Sequence, residues 1–216
     1  MLFNKEFFKD FILRLIPMFE ENRDFLSQLD SDIGDGDHGI NMSIGFREVE
    51  KQLDKIYEET EDISSFSRKV GMVILGKVGG AAGPLYGSLF MKAGDDVKGK
   101  NELSFNELVG FIENGIKSIE MRGKAVVGDK TMVDALRPAI DKMKEKIDSD
   151  KDELEIFEEF VQELKEGSDR TIPLIAKKGR AMRLGERAIG FRDPGSYSSY
   201  LIYKEMLEVM RNLKNG

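Results

Sequence analysis

The 216-residue sequence contains no cysteine and only one histidine. The lack of cysteine excludes thiolate catalysis, cysteine-ligated zinc and a disulfide framework, and it fits a reducing compartment. With a single histidine, no metal site built on a histidine pair can form. Any chemistry in this chain therefore depends on carboxylates, basic side chains and backbone groups.

Long apolar runs are missing as well. Charges interrupt the N-terminal stretch from Lys5 onward, so we predict neither a signal peptide nor a membrane span there. The net charge of −7 argues against partners such as nucleic acid or anionic membranes. Since no linker or low-complexity tract divides the chain, we predict one domain, 1–216, in a soluble and cytoplasmic protein.

Apolar residues recur at helical spacing along most of the chain, and no run alternates with the period of a strand. The sequence therefore predicts an all-α fold of eight helices, packed as an antiparallel bundle or barrel. The charged stretch 141–159 is the predicted exposed connection. The clearest helical stretches are 8–19, 40–56, 103–121, 131–147, 153–164, 168–187 and 196–213.

Four glycine-rich segments stand out against this background: 34–39, 79–87, 122–131 and 190–195. Each lies at a predicted helix end, where glycine is also an ordinary stop signal. Their unusual composition favours a second interpretation, in which all four gather as loops at one rim of the helical fold.

The first segment, within "LDSDIGDGDHGIN" at 29–41, places Asp30, Asp35 and Asp37 just before a helix predicted to start near His38. The spacing does not fit an EF-hand loop. Carboxylates beside a helix N-terminus can hold Mg²⁺ against a phosphate that the first helical amides attract. The alternative is that Asp37 caps the helix while the other two are solvated. We expect His38 to contact a ligand rather than to act as a nucleophile.

The other segments have both structural and ligand-binding interpretations. Gly79 and Gly80 leave the backbone open to a ligand or to tight helix contact, and Pro84 is predicted to start a helix. Around Lys130 the third segment offers helix caps and positive charge.

The stretch "GRAMRLGERAIGFRDPGS", which runs into the fourth segment, places Arg180, Arg183 and Arg187 on one face of a predicted helix. Such a stripe meets either acidic neighbours or phosphate oxygens, which suit the planar donor fork of arginine.

Taken in order, "LDSDIGDGDHGINM", "VGGAAGPLYGSLF", "RGKAVVGDKTM" and "KKGRAMRLGERAIGFRDPGS" closely resemble the nucleotide-binding L subunit of bacterial dihydroxyacetone kinase. The resemblance runs from about residue 25 to the end. It implies an eight-helix antiparallel barrel with nucleotide and Mg²⁺ at one rim.

The resemblance also implies the site. Asp30, Asp35 and Asp37 would hold Mg²⁺, and Arg180 would stabilise charge on the transferred phosphoryl group, with no residue forming a covalent intermediate. The nucleotide would be bound by His38, Gly39, Ile40, Asn41, Ala81, Ala82, Gly123, Met132, Arg180, Asp193, Pro194 and Gly195.

In this family the reaction is divided among subunits. A K-type subunit binds dihydroxyacetone, and an M-type subunit carries a phosphohistidine charged by the phosphoenolpyruvate-dependent phosphotransferase system. ADP stays bound as a coenzyme and becomes ATP in passing. Association as a homodimer, or with a transcription regulator, stays open.

Two departures from the family pattern leave the acceptor open. Ala82 stands where many members have serine, and Phe191 replaces a common histidine. The alternative is a related kinase subunit that serves another small ketose or acyl substrate.

Overall fold

Helices account for most of the computed structural model, which describes residues 1–215. The elements of this part of the chain are, in order, β1 (Phe3–Asn4), α1 (Lys5–Glu21), α2 (Arg23–Ile33), α3 (His38–Glu59), α4 (Ile63–Lys77), α5 (Ala82–Ala93), β2 (Glu102–Leu103), α6 (Phe105–Gly123), α7 (Val133–Lys146), α8 (Glu153–Arg170), a 3₁₀ helix (Arg180–Ala188) and α9 (Pro194–Asn215). None of the helices in 1–215 has the apolar length that a bilayer crossing requires.

Side-chain caps define where several helices begin. The Asn4 side chain accepts a hydrogen bond from the Phe7 amide at 2.9 Å at the start of α1. Asp62 opens α4 in a reciprocal capping box with Ser65. Ser104 and Glu107 form a capping box at the start of α6. These bonds satisfy amides that lack a partner inside the helix, so the polar residues before each apolar stretch fix its first turn.

The apolar faces of the helices form one large core. Phe19 of α1 and Phe46 of α3 are fully buried, and their rings stack with centroids 4.6 Å apart. Consecutive helices contact one another from α3 to α9, α9 contacts α1, and α1 contacts α3. The all-α prediction is confirmed, whereas the predicted number of eight helices is wrong because residues 1–215 contain nine α-helices and a 3₁₀ helix. The barrel form stays a prediction.

The α4–α5 pair packs with almost no side chains between the two backbones. A Cβ atom added at Gly71 would lie 2.7 Å from the carbonyl oxygen of Gly87. One added at Gly87 would lie 2.8 Å from Cβ of Leu75. Glycine is therefore required for this approach, and the turn between α4 and α5, which carries Gly79 and Gly80, is held on a closely packed helical hairpin.

The prediction of one continuous helix over 168–187 is wrong. α8 ends at Arg170, and a 3₁₀ helix begins only at Arg180. Pro173 has no amide to continue the helical hydrogen bonds, and Gly185 interrupts the 3₁₀ helix with φ of 57°. Arg180, Arg183 and Arg187 therefore do not share one α-helical face.

Smaller differences follow from local geometry. Phe3 and Asn4 pair with Leu103 and Glu102 as an antiparallel two-residue ladder that the sequence did not predict. Pro84 is the third residue of α5, not the first. The exposed connection expected across 141–159 is confined to 147–152, because α7 and α8 extend into the charged stretch.

Candidate metal and nucleotide site

The turn between α2 and α3 brings the three predicted carboxylates together. One carboxylate oxygen from each of Asp30, Asp35 and Asp37 lies within 4.8 Å of the others. Asp30 is buried, Asp37 is partly buried and Asp35 is exposed. At this separation each pair of charges repels by about 3 kcal/mol at an effective dielectric constant of about 20. The arrangement therefore requires positive charge.

Protein groups supply part of that charge compensation. The Arg180 guanidinium forms an ion pair with Asp35. Asp30 Oδ2 accepts hydrogen bonds from the amides of Asp37 at 2.9 Å and His38 at 3.2 Å. A cluster of oxygen donors that keeps one exposed carboxylate matches the preference of Mg²⁺ for oxygen ligands and retained water. The residues present thus fit the predicted cation.

The start of α3 differs in one respect from the sequence-based expectation. Three of its leading amides are engaged within the protein, since those of Asp37 and His38 donate to Asp30 and that of Ile40 donates to Ser27 Oγ at 3.2 Å. They are not free to bind a phosphate. The neighbouring N-terminus of α5 has no side-chain cap, and its first amides have no intrahelical acceptor.

The carboxylates border a cavity of about 460 Å³, a size typical of small-ligand sites. All four glycine-rich segments contribute to its lining. The predicted residues among the lining are Asp30, Asp35, Asp37, His38, Asn41, Ala81, Ala82, Gly123, Met132, Arg180, Asp193, Pro194 and Gly195.

Gly39 and Ile40 are the two predicted residues that do not line the cavity. Gly39 is buried, and a Cβ there would lie 2.0 Å from the carbonyl oxygen of Arg23, so this glycine allows α3 to approach α2. The Ile40 side chain is 45% exposed.

Gly80 of the second glycine-rich segment lies next to Asp37 and Arg180. Its φ of 63° lies in the left-handed region that favours glycine. A Cβ at this position would be 3.9 Å from both Asp37 Oδ1 and the Arg180 guanidinium. The backbone of this turn is therefore exposed beside the carboxylates and the arginine, where an anion bound to a cation would lie.

A second part of the cavity lining is apolar. Leu85, Ile119, Ala125, Met132 and Val133 contribute to it. An added Cβ at Gly123 would lie 3.4 Å from Leu85 Cδ2, so the third segment closes against α5 here. A charged lining joined to an apolar one suits a ligand that has a phosphate part and an aromatic part.

The His38 ring is fixed by a buried polar network. Its Nε2 lies 2.8 Å from Ser198 Oγ, and Ser198 Oγ lies 2.6 Å from the Tyr86 hydroxyl. Tyr86 also donates to the Gly195 carbonyl at 3.0 Å. Burial lowers the pKa of His38 to about 4, although Asp30 and Asp37 oppose the shift. The ring is therefore neutral at physiological pH and held in one orientation.

The turn Asp193-Pro194-Gly195 starts α9. Asp193 Oδ2 accepts a hydrogen bond from the Ser196 amide at 2.6 Å, and proline is favoured as the first helical residue. Burial raises the pKa of Asp193 to about 7, and the neighbouring charge of Asp134 acts in the same direction.

Sequence reasoning missed several of the residues that shape this site. Tyr86, Ser198 and Asp134 were not predicted, and Lys130 was noted only as a source of charge. Asp134 accepts hydrogen bonds from the amides of Gly128 and Thr131 and so forms the third loop. The Lys130 side chain is only 1% exposed, and nothing in the sequence of its glycine-rich turn indicates this burial. Of the three arginines proposed as a stripe, only Arg180 lines the cavity.

Comparison with known proteins identifies relatives of this chain. Residues 32–208 match the family model described as "DAK2 domain". The chain is 53% identical over 216 residues to the ADP-binding subunit DhaL of PEP-dependent dihydroxyacetone kinase 2 of Listeria innocua, covering 100% of this chain and 98% of the relative. It is 39% identical to the corresponding subunit of kinase 1 of the same organism, covering 93% of this chain and 96% of the relative.

A solved structure is similar in fold. The crystal structure of the dihydroxyacetone kinase of C. freundii in complex with AMP-PNP and Mg²⁺ matches with a TM-score of 0.70 and 22% sequence identity. The match covers 93% of this chain and 33% of that longer chain. On the strength of the sequence matches, this chain belongs to the DAK2-domain family, among the DhaL-type ADP-binding subunits.

Proposed function

We propose that this chain is the ADP-binding subunit of a phosphoenolpyruvate-dependent dihydroxyacetone kinase. Its bound ADP accepts a phosphoryl group from a phosphohistidine on an M-type subunit and passes it to dihydroxyacetone on a K-type subunit. The observation that carries this proposal is the meeting of Asp30, Asp35 and Asp37 with Arg180 beside an open glycine turn, in one cavity. The names of the two Listeria relatives support the same reaction.

In this proposal Asp30, Asp35 and Asp37 hold Mg²⁺, which when bound neutralises negative charge on the nucleotide phosphates. Arg180 donates to the phosphates from the other side, and its charge stabilises the phosphoryl group as it moves. Because three leading amides of α3 are engaged, the exposed backbone at Gly80 and the uncapped start of α5 supply the remaining donors.

The other predicted residues that line the cavity orient the nucleotide. His38 and Asn41 contact it from α3, and Ala81 and Ala82 leave room beside the phosphates. Gly123 and Met132 border the nucleoside, and the turn Asp193-Pro194-Gly195 closes the cavity. No side chain of this chain forms a covalent bond in the transfer, because the nucleotide itself carries the group.

A direct test is to denature the purified protein and assay the supernatant for ADP. We expect close to one ADP per chain, and its release without denaturation when Mg²⁺ is chelated. Reconstitution is the second test: the chain, K-type and M-type partners, phosphoenolpyruvate and the general carriers should yield dihydroxyacetone phosphate. The proposal is rejected if this chain yields no product with K-type and M-type partners that are active with another L subunit.

Two finer points belong to the same proposal. The protein acts in the cytoplasm, which its lack of cysteine favours. Dihydroxyacetone is the acceptor, and Ala82 beside the cavity is the reason to include other small ketoses in the assay. Turnover with another ketose alone would replace the acceptor without changing the nucleotide chemistry.

A further inference from the structure

Lys130 is a buried cation beside the cavity that donates only to backbone carbonyl groups. Its side chain is 1% exposed. Nζ lies 2.6 Å from the carbonyl oxygen of Thr171, 3.3 Å from that of Ile172 and 2.6 Å from that of Phe191. An ammonium group has three donors, so all of them have acceptors within the protein.

Those acceptors lie at the two ends of one stretch, residues 171–193, here called the arginine segment. It leaves α8, carries the 3₁₀ helix with Arg180, and returns at the start of α9. Its ends also meet directly, since the Gly190 amide donates to the Ile172 carbonyl at 2.9 Å. The loop that bears Lys130 makes one more contact, in which the Asp129 carbonyl accepts from the Lys177 amide at 3.0 Å.

Between these ends the arginine segment has little apolar burial. A small cluster of Ile33, Ala176, Ala181 and Ala188 lies apart from the main core. Larger apolar side chains of the segment point outward, with Met182 55% exposed and Ile189 45% exposed. Small side chains bury little area. The position of this segment therefore depends on the contacts at its base, meaning its two ends at 171–172 and 190–191.

We propose that Lys130 is a positioning residue that fastens both ends of the arginine segment and so sets where Arg180 meets the carboxylates and the nucleotide phosphates. This inference rests on the proposed function for the role of Arg180. The fastening itself is a property of the protein without nucleotide. The two claims are therefore tested separately.

The fastening is tested by limited trypsin digestion of the folded Lys130→Met variant. The arginine segment contains exposed trypsin sites at Lys177, Lys178, Arg180, Arg183 and Arg187. Loss of three hydrogen bonds to the carbonyl groups at the two ends should raise the rate of cleavage in this segment about tenfold. Cleavage in the exposed loop at Lys98 and Lys100 should not change and serves as the internal reference.

Lys5 provides a matched control. Its Nζ donates to the carbonyl oxygens of Tyr57 at 2.8 Å and Thr60 at 2.7 Å, at the end of α3 remote from the cavity. Lys5→Met should lower the melting temperature without opening the arginine segment. Equal acceleration of cleavage in both variants would mean general destabilisation and would overturn the inference, as would wild-type cleavage in Lys130→Met.

The link to the nucleotide is tested by ADP affinity in the presence of Mg²⁺. If Lys130 acts through Arg180, the double variant Lys130→Met/Arg180→Gln should bind ADP within about twofold of Arg180→Gln alone. Multiplicative losses would overturn this route of action. If the wild-type chain bound no ADP, the proposed function would be wrong. The trypsin digestion would still test whether Lys130 holds the ends of the arginine segment.

A measurement on the wild-type chain covers the case in which Lys130→Met does not fold. Hydrogen exchange should be slow in peptides that contain the base of the arginine segment, including the Gly190 amide, and fast across 178–188. Exchange at the base as fast as in 178–188 would contradict the inference.

Discussion

The helical bundle and the arginine segment are ordered by different forces. In the bundle, large side chains such as Phe19 and Phe46 are removed from water completely, so apolar burial holds the helices together. In the arginine segment the buried side chains are mostly alanines, and order comes from Lys130, backbone hydrogen bonds and the pair between Arg180 and Asp35. We therefore expect the bundle to fold without a ligand, whereas the position of the segment depends on hydrogen bonds and ion pairs.

The largest expected effect is on the bundle. Phe46→Ala should lower the free energy of unfolding by about 4 kcal/mol, because it removes a fully buried ring and leaves a cavity. Denaturant titration measures this loss. Phe25→Ala is the control, since Phe25 is 46% exposed, and it should cost under about 1 kcal/mol. Similar losses for both variants would contradict the assignment of stability to the buried core.

The next largest effect is on the ligand, at the point where the bundle meets the arginine segment. Asp35→Asn or Asp37→Asn should weaken ADP binding in Mg²⁺ by about 100-fold, since the lost carboxylate no longer attracts the cation, which is worth about 3 kcal/mol. The fold should be retained because the loop loses repulsion. Calorimetric titration with ADP measures the change.

Asp32→Asn is the matched control for these two variants. Asp32 lies in the same acidic stretch but is exposed and lies outside the carboxylate cluster. It should bind ADP as the wild type does. Unchanged ADP occupancy and Mg²⁺ dependence in both Asp35→Asn and Asp37→Asn would remove those residues from the site.

A pH experiment examines the junction of the arginine segment with α9. Because burial raises the pKa of Asp193 to about 7, the folded state keeps a proton that the unfolded chain loses near pH 4. The stability of the wild type should therefore fall, relative to Asp193→Asn, as the pH rises from about 4 to about 7. The full pKa difference would be worth about 4 kcal/mol. We expect a loss of about 2 kcal/mol, because the Asp193 side chain is partly exposed to solvent. A difference that does not change across this range would contradict the raised pKa.

The smallest expected effect concerns the network behind His38. Tyr86→Phe removes the hydroxyl that donates to Gly195 and contacts Ser198, and should lower stability by about 1 kcal/mol. Loss of the fixed ring orientation should also weaken ADP binding a few-fold. Ser88→Ala is the control, since its hydroxyl donates to the Leu85 carbonyl within α5. Equal losses of ADP affinity in Tyr86→Phe and Ser88→Ala would show that the network does not orient His38 for binding.

Much of the site could be predicted because it is local in sequence. Asp30, Asp35 and Asp37 are separated by a short turn, so their spacing and the start of α3 at His38 already brought them together. Lys130 could not be assigned in this way, because its acceptors at Thr171 and Phe191 lie 41 and 61 residues away. The packing role of Gly39 could not be predicted for a related reason: its requirement for small size comes from the backbone of Arg23 in a neighbouring helix.

The helix predicted over 168–187 was wrong because the prediction relied on the spacing of side chains alone. Arg180, Arg183 and Arg187 repeat at helical spacing, but the backbone between them is a 3₁₀ helix interrupted at Gly185. Pro173 and the glycines were the opposing signals. Where apolar burial is small, such local residues decide the conformation, and a spacing pattern among charged residues is a poor guide.

The close contact of α4 with α5 matters for anyone who wishes to redesign this cavity. At Gly71 and Gly87 the two backbones touch, so even one methyl group would push the helices apart and move the turn at Gly80 with them. That hairpin is the fixed wall against which a new ligand would have to be fitted. Changes intended to alter ligand preference belong at Arg122 and Gly123, which line the cavity and are exposed, and not at Lys130, which holds the arginine segment.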